Sequence, residues 1–145
     1  ATDFLTGEYR VSREADRMGM RLEGPSLEHA RGYNITSDGI VTGAIQVPGN
    51  GLPIILLADH QTTGGYPKIG TVISADIPRL GRLKPGDTIF FTEVSVADAE
   101  EARLEHEKEV KRLIGSLSPA AAWLDEAALY RENLISGVVH NQDAV

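Results

Sequence analysis

The chain contains no cysteine. Disulfides, thiolate nucleophiles and cysteine-based zinc sites are therefore excluded, and the composition fits a cytoplasmic location. No apolar run approaches the roughly 18 residues needed to span a bilayer. No basic segment leads into an apolar stretch, as a secretory signal would require. Positive charge is also in short supply, with 14 basic against 21 acidic side chains and a net charge of −7. Nucleic-acid binding needs a basic footprint, so that class of function falls away. The sequence begins at Ala1 rather than Met and reads as a processed chain or a fragment. Its 145 residues suffice for one domain with a real core.

Several chemical signatures are missing too. There is no GxxxxGK[ST] phosphate loop, no GxSxG nucleophile turn and no HxxxH zinc pair. The four histidines, His29, His60, His106 and His140, are scattered, so no metal site is expected. The chain offers no self-contained set of nucleophile, base and acid.

Glycine and proline are present, but unevenly. Thirteen of 15 glycines and six of seven prolines precede residue 95. Short apolar runs separated by such residues read as strands joined by turns. The spacing predicts strands over Tyr9–Ser12, Met18–Glu23, Ala44–Val47, Ile54–Ala58, Gly70–Ser74 and Thr88–Val94. It also predicts a helical turn near Ala75–Leu80. Lys84-Pro85-Gly86-Asp87 should form a turn, because proline presets φ and glycine accepts a positive one. Residues 1–94 thus read as a β domain and residues 95–145 as a helical extension. The front carries 9 basic and 11 acidic side chains, the extension 5 and 10. Residues 96–114 lack glycine and proline, and Ser95 with Asp98 forms a helix-capping pair. Val96, Ala99, Val110, Leu113 and Leu117 fall on helical spacing, so this helix should pack along one seam. Glu107–Lys111 and Glu105–Lys108 would pair on its exposed face. Ser118-Pro119 starts a second helix, with Trp123, Ala127, Tyr130 and Leu134 on one side. Gly137–Val145 should be loosely held.

Two segments carry chemical interest. In Asp16-Arg17-Met18-Gly19-Met20-Arg21-Leu22-Glu23-Gly24-Pro25, strand alternation sends Met18, Met20 and Leu22 one way. Arg17, Gly19, Arg21 and Glu23 then share the other face. Two guanidiniums flanking a glycine leave room for a small anion or carboxylate, with Glu23 orienting one of them. The same pattern also suits a solvated charged face.

The second segment is Pro53–Lys68. Its apolar run, Ile54 to Ala58, breaks into Asp59, His60, Gln61, Thr62, Thr63, Gly64, Gly65 and Tyr66. A buried strand ending in polar residues is a common way to place a site at a barrel mouth. Gly64-Gly65 could expose consecutive backbone N–H groups as a nest, with Lys68 adding charge and Tyr66 a flat contact. A tight turn would need the glycines equally. Between the segments, Gln46 interrupts the apolar Ala44–Val47 run. A buried carboxamide there must find partners, either a substrate amide or a neighbouring loop.

The stretches DRMGMRLEGP at 16–25, GAIQVP at 43–48 and PIILLADHQTTGGYPKIGTVISADIPRLGRLKPGD at 53–87 resemble the C-terminal half of the carboxyltransferase A/B family. Its members include the C subunit of 5-oxoprolinase, allophanate hydrolase subunit 2 and KipA. The likeness spans roughly residues 4–114. It implies a mainly β chain, a cyclophilin-like β-barrel followed by C-terminal α-helices, lacking the family's first, N-terminal barrel. It further implies two partner proteins, one KipI-like and one LamB/YcsF-like. The activity implied is ATP-dependent opening of 5-oxoproline to glutamate, with ATP used by the assembled complex. A related module moves a carboxyl group from carboxybiotin to urea, and KipA-type members antagonise a kinase inhibitor. Prolyl isomerisation is suggested by the fold name alone, which does not carry function. The resemblance places substrate or phosphate binding on Arg17, Arg21, Gln61, Thr62, Thr63, Gly64, Gly65 and Lys68. Asp59 and Glu23 take positioning roles. Many relatives have Arg where this chain has His60, a change that would weaken anion binding or alter the substrate.

Overall fold

Alternation along short apolar runs builds the sheet. Tyr9, Val11, Met20, Leu22, Ile45 and Ile55 are each at most 3% exposed in the structure, a computed structural model. It describes residues 2–29, 32 and 34–117. The chain divides into two compact units, residues 1–109 and 110–145. The first contains the sheet. Of the second, the described residues 110–117 hold the end of a helix and the two residues after it.

The elements of the first unit follow in chain order. Helix α1 is Thr2–Thr6, β1 Tyr9–Val11, β2 Gly19–Glu23, β3 Asp38–Gly39, β4 Ala44–Gln46 and β5 Ile54–Leu56. Then come β6 Thr63–Gly64, β7 Lys68–Thr71, α2 Ile77–Leu80 and β8 Thr88–Ile89. Helix α3, Val96–Gly115, continues into the second unit. Six strands form one antiparallel sheet in the order β7-β4-β5-β2-β1-β8. Among the described residues, strands β3 and β6 pair only with each other, as a separate ribbon. The chain is thus mainly β, an antiparallel sheet followed by a helix.

The main apolar cluster lies on one face of the sheet, and Ala44, Gln46 and Leu56 are buried on the other. Phe4 of α1 and Leu80 of α2 close over the buried strand residues. Phe91 stacks on Phe4 at 4.3 Å between ring centroids and meets the Tyr9 ring edge-on at 5.9 Å. Offset and edge contacts of this kind suit aromatic quadrupoles. The Lys84–Asp87 turn forms as the sequence predicts. Gly86 adopts φ +94°, Asp87 N–H donates to Lys84 O at 3.0 Å, and Asp87 Oδ2 accepts from Lys84 N–H at 2.8 Å.

Four expectations change. Met18 is 49% exposed, because Asp16 Oδ1 accepts the N–H groups of Met18 and Gly19 and bends the chain before β2 begins. The strand expected at Gly70–Ser74 begins earlier, at Lys68, across a register shift between Ile45 and Gln46. The Thr88–Val94 run pairs only over Thr88–Ile89 at the sheet edge, and Phe90 is 67% exposed. The cap of α3 forms as expected, with Ser95 Oγ accepting from Asp98 N–H at 3.1 Å. Yet no residue of α3 is buried, so the expected seam is not packed. On its exposed surface Glu107 pairs back to Arg103. The second helix expected from Ser118, with Trp123, Ala127, Tyr130 and Leu134, and the terminal stretch Gly137–Val145 lie outside the described residues.

Candidate functional site

One face of the sheet carries Arg21, Gln46 and Lys68 among the candidate residues. Directly paired residues of antiparallel strands point to the same side. Arg21 pairs with Ile54, Ile54 with Gln46, and Gln46 with Lys68. These four therefore form one row across β2, β5, β4 and β7. At roughly 4.8 Å per strand the row spans about 14 Å. It reads cation, apolar, carboxamide, cation.

The Lys68 end is built most fully. Its ammonium donates to Asp38 Oδ2 at 2.6 Å and to Gly39 O at 3.0 Å. Asp38 is exposed, and the Lys68 hydrogen bond, then the Gly39 N–H, then the Lys68 charge hold its carboxyl below the usual carboxylate range. Gln46 is 2% exposed, and its Nε2 has no hydrogen-bond partner among the described residues. A Cβ on residue 64 would come within 2.6 Å of that Nε2 and 2.6 Å of Ile40 Cδ1. Only glycine lets β6 lie this close over the carboxamide. The register shift beside Gln46 is the kind of irregularity that re-aims a side chain.

Gly64-Gly65 takes a form different from the nest expected of it. Gly64 is paired in β6, Gly65 O accepts from Ile35 N–H, and positive φ among the described residues is confined to Gly32, Gly43, Gly51 and Gly86. A nest needs a left-handed residue, so these two glycines serve close approach instead.

Arg17 and Arg21 do not share a pocket. Arg17 precedes β2 and forms an ion pair with Asp59 at 2.9 Å, with 88% of its side chain exposed. Arg21 lies four residues on, about 13 Å along an extended chain. It lines a concavity of about 210 Å³ with Ser12, Glu14, Glu23, Asn50, Leu52, Pro53 and Ile54. Glu23 thus shares the Arg21 concavity, whereas Asp59 holds Arg17. Gln61, Thr62, Thr63 and Tyr66 are exposed.

Two contributors escaped the sequence reading. Asp38 latches Lys68, and Thr42 Oγ1 lies 3.2 Å from His60 Nε2. His60 Nδ1 is 2.6 Å from Gln61 O. A carbonyl only accepts, so Nδ1 carries the proton. In the neutral ring Nε2 then accepts from the Thr42 hydroxyl. The one available signal was Asp38-Gly39, a turn dipeptide just before Ile40-Val41. Among the described residues no group of His, Asp and Glu is arranged to hold a metal ion, and no helix is long and apolar enough to cross a membrane. The face can bind, orient and neutralise.

Known proteins resemble this chain at the level of sequence and of fold. The model of the carboxyltransferase domain, subdomain A and B, matches residues 1–93. The C subunit of the Haemophilus influenzae 5-oxoprolinase is 42% identical over 110 residues, covering 74% of this chain and 36% of that protein. Its Escherichia coli counterpart is 37% identical over 110 residues, covering 76% and 36%. A putative urea carboxylase of Emericella nidulans is 30% identical over 155 aligned positions, covering 94% of this chain and 12% of that protein. The crystal structure of the K. lactis urea amidolyase superposes with a TM-score of 0.72 at 28% identity, over 77% of this chain and 7% of that one. This chain therefore spans only 36% of the length of the 5-oxoprolinase subunits.

Proposed function

Since the chain belongs to the carboxyltransferase domain family, subdomain A and B, we propose that it is the substrate-recognition part of an assembly that opens 5-oxoproline to glutamate at the expense of ATP. The observation that carries this reading is the row Arg21, Ile54, Gln46 and Lys68 on one sheet face. A carboxamide beside an ammonium matches a small molecule bearing both an amide and a carboxylate. The greater identity to 5-oxoprolinase subunits than to the urea enzymes supports the same substrate.

Each candidate residue has a role in this reading. Lys68 and Arg21 supply positive charge, and Gln46 reads the amide. Thr62, Thr63 and Gln61 contact the ligand from the ribbon side, Gly64 and Gly65 allow close backbone approach, and Tyr66 offers a flat surface. Asp59 holds Arg17 and Glu23 adjoins Arg21. The Arg21 concavity, about 210 Å³, is smaller than the roughly 300–1,000 Å³ of ordinary small-molecule pockets. With no phosphate loop in the sequence, ATP is assigned to the rest of the assembly. The partners in this reading are the family's first barrel, a KipI-like protein and a LamB/YcsF-like protein.

The test is reconstitution with those partners, followed by ATP-dependent glutamate release from 5-oxoproline. Turnover of urea with carboxybiotin, and none of 5-oxoproline, would move the assignment to carboxyl transfer. That second reading is supported by the urea carboxylase match over 94% of this chain and by the superposition on the K. lactis urea amidolyase.

A further inference from the structure

We infer that the β3–β6 ribbon is a lid over Gln46, latched by the Lys68–Asp38 ion pair, and that lifting it turns the Gln46 carboxamide and the Lys68 ammonium together onto one small ligand.

Gln46 supplies the first reason. A carboxamide kept only to tie down a loop would have its N–H groups bonded to that loop. Here Nε2 is buried without a partner, and the ribbon is what covers it, through Gly64. A buried donor left unpaired is costly, and the arrangement makes sense where a ligand supplies the missing acceptor. The atom is a donor, so the ligand atom is an acceptor such as an amide carbonyl oxygen.

Lys68 supplies the second. It is the in-register partner of Gln46, so both side chains rise from neighbouring strands on one face. Its ammonium is occupied by groups of the ribbon, Asp38 Oδ2 and Gly39 O. A ligand carboxylate is the natural competitor for Asp38. The same displacement that frees Lys68 lifts the ribbon from Gln46.

The ribbon itself supplies the third. It pairs only within itself, over Asp38–Gly39 and Thr63–Gly64, and joins no strand of the six-stranded sheet. Two-stranded ribbons are marginal alone in water. Residues 34–39 and 61–63 are all exposed, so few apolar contacts hold it down. Elements that move on binding are drawn from such weakly held segments.

The ligand class, a small amide with a neighbouring carboxylate, rests on the proposed function; the lid and its latch do not. Amide hydrogen exchange on the full chain tests the lid. Asp38→Asn should lower protection of the Ile40 N–H, which donates to Thr62 O across the ribbon, by tenfold or more. The Leu22 N–H, bonded to Pro53 O within the sheet, should keep its protection. Equal Ile40 protection in both proteins would overturn the lid. The ligand role is tested with Gln46→Leu in the reconstituted assembly. A binding role predicts a thermal midpoint at or above wild type together with a tenfold or greater rise in KM for 5-oxoproline. An unchanged KM overturns the role of Gln46 and leaves the proposed function standing. If the assembly turns over urea and not 5-oxoproline, the carboxylate-bearing ligand falls with that function, and the Ile40 exchange alone decides the lid.

Discussion

Gln46 and Tyr9 share an unusual condition: each buries a side-chain polar atom that has no hydrogen-bond partner among the described residues. Their surroundings differ. Gln46 faces a polar ribbon and a lysine, whereas the Tyr9 hydroxyl belongs to a ring wedged among Phe4, Phe91 and two close glycines. A Cβ on Gly24 would approach Tyr9 Cδ1 to 2.7 Å, and one on Gly7 would approach Cε2 to 2.8 Å. The ring is held by shape, and the hydroxyl adds only a desolvation cost. Removing an unpaired buried hydroxyl while keeping the ring relieves a penalty of order 1–3 kcal/mol, offset by the small gap left behind. Tyr9→Phe should therefore match or exceed wild-type stability, by up to about 1 kcal/mol. Urea denaturation checks this, and a clear loss of stability would mean the hydroxyl has a partner in solution.

At the scale of elements, the ribbon behaves differently from the sheet because one ion pair anchors it. Asp38 has a carboxyl held below its ordinary value of 3.8, with the Lys68 hydrogen bond as the leading cause. A lowered folded value means the contribution is present above the unfolded value and is lost as pH falls through the folded one. Protection of the Ile40 N–H, corrected for intrinsic exchange, should fall below about pH 4 in the wild type, and in Asp38→Asn it should show no such step. The same contrast explains what could be read from sequence. Strands β1 and β2 announce themselves by alternation against a core, β4 and β5 as short apolar runs, α2 by its proline, and the α3 cap by Ser95 and Asp98. Strands β3 and β6 are two residues each and polar, with partners 24 and 26 positions apart, so local pattern reveals at most the Asp38-Gly39 turn dipeptide. Gln46 and Lys68 were legible as candidates one by one. Their adjacency depends on a register shift that moves β7 against β4, and register is a tertiary property. Gly64-Gly65 was ambiguous for the same reason, since one dipeptide suits a nest, a turn or a strand pressed on a neighbour.

For the molecule as a whole, the outlook in alkali is set by the core rather than by the candidate site. Burial first, and the nearby Asp3 charge second, raise the Tyr9 phenol above its ordinary value of 10.0. The folded protein then keeps a proton that the unfolded chain has already lost. Stability changes with pH in proportion to protons bound by the unfolded minus the folded state, so the slope here is negative. The contribution is fully present below about pH 10 and is lost as pH rises from there through the folded value, at up to about 1.4 kcal/mol per unit. The Tyr9→Phe variant has no phenol to titrate at that position. Its stability should decline less steeply between about pH 9 and 11 than that of the wild type, so the gap between the two proteins widens with pH. Parallel urea unfolding curves across that range measure the difference. Identical slopes would show that the Tyr9 hydroxyl is solvated in the folded protein, and the packed trio of Phe4, Tyr9 and Phe91 would then have to open at that edge.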